Sequence, residues 1–200
     1  MFLTRSKENR KRRTPNGFST LELAVVMSML LAISGIAVPS ITQNLQAYQL
    51  NSAAGMVADQ FKIARFTAIR QNIPVTCYIT PNSPGYQLWT DVSGTGAYVN
   101  TDNTTMLTGS QTLIGSGAIP DEAGLESALG VTGVTTLSGS SSLVSLAFDS
   151  RGAVTGSTAV NVLYVGYPGT PYGYRAVVVM PSGSVQIWTP QGDGTWVQTF

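Results

Sequence analysis

The chain has 200 residues, 43% of them hydrophobic and only 10% charged, with one cysteine, no histidine and a formal net charge of +1. The lone thiol, Cys77, closes no disulfide within the chain, and without histidine the zinc-type ligand spacings and the Ser-His-Asp and Cys-His nucleophile arrangements are excluded. Charge is unevenly placed: Met1 to Gly17 carries six basic side chains against Glu8, a net +5, whereas the remaining 183 residues carry five against nine acids, a net −4, which disfavours phosphate polymers as partners.

From Phe18 to Val38 the chain is almost wholly apolar, 21 residues with a single charge, Glu22. As a helix rising about 1.5 Å per residue this run is roughly 31 Å long, close to the hydrocarbon thickness of a bilayer. The basic stretch ahead of it predicts a cytoplasmic amino terminus and an exported remainder. A carboxylate near the end of such a span costs about 2 to 3 kcal/mol unless neutralised or paired, which marks Glu22 as functional, and its own helix offers no evident partner. A secretory signal cleaved near Ala37, or a plain single-pass anchor, would share the basic start and the apolar run, but neither needs Gly17 or Glu22.

Gly17-Phe18-Ser19-Thr20-Leu21-Glu22 resembles the processing site of type IV pilins and type II secretion pseudopilins. The resemblance implies that residues 1–17 are a leader, that a prepilin peptidase cuts between Gly17 and Phe18, and that it methylates the new amino terminus on Phe18. It further implies that Glu22 meets the terminal amine of a neighbouring subunit during assembly. The implied partners are the peptidase, other pilins or pseudopilins and an inner-membrane assembly platform.

Helical patterning continues beyond the apolar run. Leu50, Ala54, Val57, Phe61, Ala64 and Ala68 recur at spacings of four and three, while Asp59, Lys62 and Arg65 lie off the stripe, so residues 39–72 read as an amphipathic continuation that packs on a globular domain. Asn72, tolerant of a left-handed conformation, and Pro74 mark its end. Pro39 lacks an amide hydrogen and opposes the carbonyl of Gly35, so a kink is expected between these two residues.

Residues 73–200 read as a β-rich domain. Val75 to Thr80 and Tyr86 to Asp91 predict two strands joined across Pro81-Asn82-Ser83-Pro84-Gly85, with Cys77 a small apolar residue in the first. Val92 to Ser142 is dominated by Ser, Thr and Gly; Pro120-Asp121-Glu122 to Leu129-Gly130 predicts a short helix. Leu143 to Phe148, Val160 to Tyr167, Tyr174 to Met180 and Ser184 to Thr189 predict a run of antiparallel strands, with Trp196 to Phe200 as a final edge. The fold class is α+β: a long amino-terminal helix, its first half membrane-spanning, packed on an antiparallel, sandwich-like sheet domain.

Phe148-Asp149-Ser150-Arg151-Gly152, and then Arg175 to Met180 followed by Ser182-Gly183, are similar to the carboxy-terminal pattern of the GspH/FimT family of minor pseudopilins. Taken as residues alone, Gly152 and Gly183 are turn glycines and Arg151 a solvated turn residue. Neither Gly94-Thr95-Gly96 nor Gly115-Ser116-Gly117 has the lysine and spacing of a phosphate loop, and the adjacent acids Asp121 and Glu122 suit a helix start better than acid-base chemistry. No enzymatic activity, cofactor or metal is expected. Three functions remain open: a minor pilin or pseudopilin subunit, a FimT-like DNA-uptake pilin, and an anchored periplasmic protein that never polymerises. Nucleic acid is disfavoured, because Ser184 and Gln186 stand where DNA-binding relatives carry arginines.

Overall fold

The computed structural model describes residues 17–109, 111–114, 119, 122–137, 144–167 and 173–199, with the side chains at 36, 39 and 40 left out. The first sixteen residues of the expected 1–17 leader, Gly115-Ser116-Gly117, Pro120-Asp121, Leu143, the Pro168 to Pro171 link and Phe200 lie outside the described residues. Two compact units are present, Met1–Asn44 and Leu45–Phe200.

Helix α1 spans Thr20–Gln71, so Gly35 and Pro39 both lie within it. Its end is built as the sequence requires: Asn72 adopts φ 55°, its N–H bonds the carbonyl of Ile69, and the N–H of Ile73 reaches back to Ala68, both at 3.3 Å. This paired closure satisfies carbonyls that the helix would otherwise leave orphaned. In the second unit, all six residues of the expected apolar stripe are buried.

Among the described residues ten strands follow: β1 Val75–Asn82, β2 Gly85–Asp91, β3 Asn103–Thr108, β4 Thr112–Ile114, β5 Val134–Thr136, β6 Val144–Phe148, β7 Val160–Gly166, β8 Tyr174–Val179, β9 Val185–Pro190 and β10 Trp196–Gln198. A short helix, α2 Glu122–Leu129, precedes β5. One sheet has the order β3-β2-β1-β6, and the other β10-β9-β8-β7-β4, with β5 also paired to β7. Every pairing is antiparallel except β5 with β7. The β1–β2 link is tighter than expected, since Asn82 pairs with Gly85 and leaves only Ser83 and a cis Pro84 between them. The expected run of strands is divided, because β6 joins β1 in the first sheet while β7 to β10 build the second. The crossing is made through residues 149–159, where Phe148 bridges Val154 and the Val154 N–H bonds Pro181 O at 2.9 Å.

The main core lies between α1 and the two sheets and takes in Phe61, Cys77, Leu88, Phe148, Leu163 and Val177. A second cluster, with Leu125 of α2, Tyr164, Tyr174 and Trp196, covers the opposite face of β7 and β8. Burial on both faces explains why β7 and β8 are apolar on both faces apart from Asn161 and Arg175, whereas β1, covered on one face, alternates.

Candidate functional site

At the amino-terminal end, Gly17, Phe18 and Ser19 precede the helix and Glu22 lies in its first turn. Ser19 caps it: its Oγ accepts the N–H of Leu21 at 3.4 Å and its carbonyl accepts that of Leu23 at 3.0 Å. Ser19-Thr20-Leu21-Glu22 also has the spacing of a capping box, and Glu22 lies in the first turn, at the helix's positive end. Around it the apolar side chains are uncovered. Phe18 is 81% and Leu31 74% exposed, and Leu21, Val25, Met29 and Ile33 are exposed as well. Among the described residues no helix is long and apolar enough to cross a membrane.

The carboxy-terminal motif closes into one cluster. Asp149 Oδ1 accepts the N–H groups of Arg151 at 2.9 Å and Ala153 at 2.8 Å, folding the turn that brings Gly152 to φ 81°. Gly183, at φ 80°, stacks on it so closely that a Cβ there would strike the Gly152 carbonyl oxygen. Arg65 of α1 completes the arrangement, donating from Nε to that same oxygen at 3.1 Å. Gly152 and Gly183 are thus brought together, while Phe148 is buried in the core and the Arg151 side chain stays exposed. Sequence reasoning missed Arg65, which lies off the apolar stripe.

Three further polar groups hold the domain on α1 or shape its loops. Gln60, 1% exposed, donates from Nε2 to Thr90 Oγ1 at 2.8 Å and Asn103 O at 3.0 Å, and accepts from Thr105 Oγ1 at 3.1 Å. Its place three residues after Val57 was the available signal. Asp91 organises the loop after β2, accepting from Ser93 Oγ and the amides of Gly94 and Gly96 at 2.7 to 2.9 Å. Burial pushes its pKa up, but the hydrogen bonds from Gly96, Ser93, Gly94 and Thr95 outweigh this and hold it below the ordinary carboxylate value. Arg175 is buried on β8, donating from Nε to Asn51 Oδ1 at 2.7 Å and from Nη1 to Tyr174 O at 2.8 Å, and burial lowers its pKa.

A groove of about 520 Å³ is lined by Lys62, Phe66, Arg70, Thr90, Val92 and Asn103. It brings together no pair of carboxylates for general acid-base work. Burial pushes the Cys77 thiol far up and away from reactivity. Among the described residues no group of three or more Cys, Asp or Glu gathers.

The family model of the Type II transport protein GspH matches residues 53–183, from the buried half of α1 through the Gly152 and Gly183 turns. The chain belongs to the GspH family. No curated protein matches it. Two crystal structures of the type IV minor pilin FimU of Pseudomonas aeruginosa strain PAO1 are similar, each with a TM-score of 0.47 and 16% identity. They cover 70% and 69% of this chain and 89% and 91% of FimU. GspH proteins are pilin-type structural proteins, typically anchored by an amino-terminal helix, and membership implies association with other pilin-type subunits. The GspH match begins after the Gly17 to Glu22 segment and leaves that segment untouched.

Proposed function

We propose that the chain is a minor pilin or pseudopilin subunit of a type II secretion pseudopilus or type IV pilus. A prepilin peptidase removes residues 1–17 and methylates Phe18. The segment from Phe18 to Val38 then lies in the inner membrane, with the leader side cytoplasmic and the β-rich domain periplasmic. From there an assembly platform moves the subunit into a filament, where its helix packs against those of other subunits and Glu22 pairs with the Phe18 amine of a neighbour. The observation that carries this reading is the first half of α1, apolar and exposed on its sides, with one carboxylate in its first turn. So much uncovered apolar surface requires lipid or other helices around it.

A DNA-uptake role draws little from the basic side chains. Arg175 is buried, and the turn around Gly183 offers Ser184 and Gln186, which release no counterion.

Filament incorporation of Glu22→Gln and Glu22→Ala, measured in sheared filaments, tests the assembly role. Glutamine keeps the side-chain oxygen of a capping box but not the charge, so both variants are expected to insert in the membrane and to lose incorporation by tenfold or more. A Glu22→Gln protein that assembles normally would refute the pairing.

A further inference from the structure

Arg175 is a charged side chain only 8% exposed, and it has no carboxylate partner among the described residues. Buried charges are ordinarily paired, because a desolvated cation held only by neutral oxygens lacks the Coulomb attraction that offsets leaving water. Two of its nitrogens are committed, Nε to Asn51 on α1 and Nη1 to the carbonyl of Tyr174. Nη2 has no acceptor among the described residues, yet it is not one of the fully enclosed polar atoms without a partner, so it reaches the surface. Its position in the strand fixes which surface. Side chains alternate along β8: Tyr174, Ala176 and Val178 enter the cluster beneath α2, whereas Val177 and Val179 enter the core against α1. Arg175 is the first of this second row, beside Asn51, at the end of the sheet where α1 enters the domain.

We propose that Arg175 is a recessed docking point for a carboxylate on a neighbouring filament subunit. This rests on the filament reading above. The guanidinium is held in place beforehand by Asn51 and Tyr174, so little side-chain freedom is lost when the anion arrives. One free nitrogen is a poor site for a dissolved anion, which must give up its own translational freedom. A carboxylate delivered on a packed neighbour arrives at high effective concentration. The chain from Phe18 onward is net acidic, with five basic against nine acidic side chains, so subunits of this kind carry the complementary group.

The test compares Arg175→Met and wild-type full-length chains, following filament incorporation and the thermal midpoint of the detergent-solubilised protein. Methionine removes the unpaired charge and keeps much of the volume. The expected result is a midpoint no lower than wild type with incorporation down at least tenfold. Normal incorporation of Arg175→Met overturns the proposal, and so does a large fall in midpoint accompanied by loss of assembly, which would make Arg175 only a clasp to Asn51 and Tyr174. A wild-type midpoint that rises with millimolar acetate, in a manner lost in Arg175→Met, assigns the site to a free anion and also overturns it. Failure of the wild type to assemble would remove the filament reading and this proposal together, whereas the Glu22 variants test that reading without touching Arg175.

Discussion

The two halves of α1 are made from similar side chains and meet opposite fates. In Thr20 to Asn44 Leu21, Val25, Met29, Leu31 and Ile33 are all exposed, whereas from Leu45 to Gln71 the stripe through Leu50, Val57, Phe61 and Ala68 is buried and the charges of Asp59, Lys62 and Arg70 point outward. The difference is one of patterning rather than hydrophobicity. A helix apolar on every side cannot satisfy itself against one sheet, while a helix with a single stripe can. The chain therefore builds its domain core with the second half and leaves the apolar side chains of the first exposed.

The strongest break of this comparison is a pair of truncations. Phe61→Ala removes a fully buried ring from the core and is expected to cost about 3 to 5 kcal/mol. Leu30→Ala, in the exposed half, is expected to change domain stability by no more than about 0.5 kcal/mol. Denaturant titration of the solubilised chain, followed by tryptophan fluorescence, reads both; equal losses would mean that the first half contributes to the domain core.

How far the sequence could be read follows the same division. The extent of α1, its Asn72 closure and the apolar strands from β6 to β9 were legible because each is a local pattern of period or capping. β3 was not, because Leu107 is its one buried side chain and leaves no alternation to detect. The loop after β2 was equally hidden, since its order comes from backbone amides turned onto Asp91. In the candidate site, Gly152 and Gly183 were legible as turn glycines, but their contact with Arg65, 87 residues before Gly152, was not. The Arg175 to Asn51 bond spans 124 residues and is likewise a product of the fold.

A second, smaller test sharpens the account of the domain-forming half. Gly183→Val places side-chain carbon against the Gly152 carbonyl in a backbone conformation that β-branched residues avoid, a cost of about 2 to 4 kcal/mol. Gly152→Val meets the Cδ1 end of Ile69 and the middle of the Arg65 side chain instead of backbone and is expected to cost about 1 to 3 kcal/mol, and Arg151→Ala no more than about 0.5 kcal/mol. Thermal melts of the three variants should keep that order. An Arg151→Ala loss as large as that of Gly152→Val would show the arginine to be structurally engaged.

The smallest expected effect concerns acid. Asp91 has a folded pKa below its unfolded value, so its contribution is present above the unfolded pKa, about 4, and is lost as pH falls through the folded value. Asp91→Asn should therefore lower the melting temperature at pH 7 and flatten the decline in stability below pH 4. Parallel pH profiles for variant and wild type would contradict the role given to its hydrogen bonds.

The division of α1 between an inner fold and an outer assembly depends most on what happens at its start. The direct measurement is intact-mass and amino-terminal peptide mass spectrometry of the chain recovered from membranes of cells that carry its own peptidase. The account predicts a mature protein beginning at a methylated Phe18, with residues 1–17 gone. A mature chain that retains its leader, or one cleaved near Ala37 so that Glu22 is lost, would contradict it.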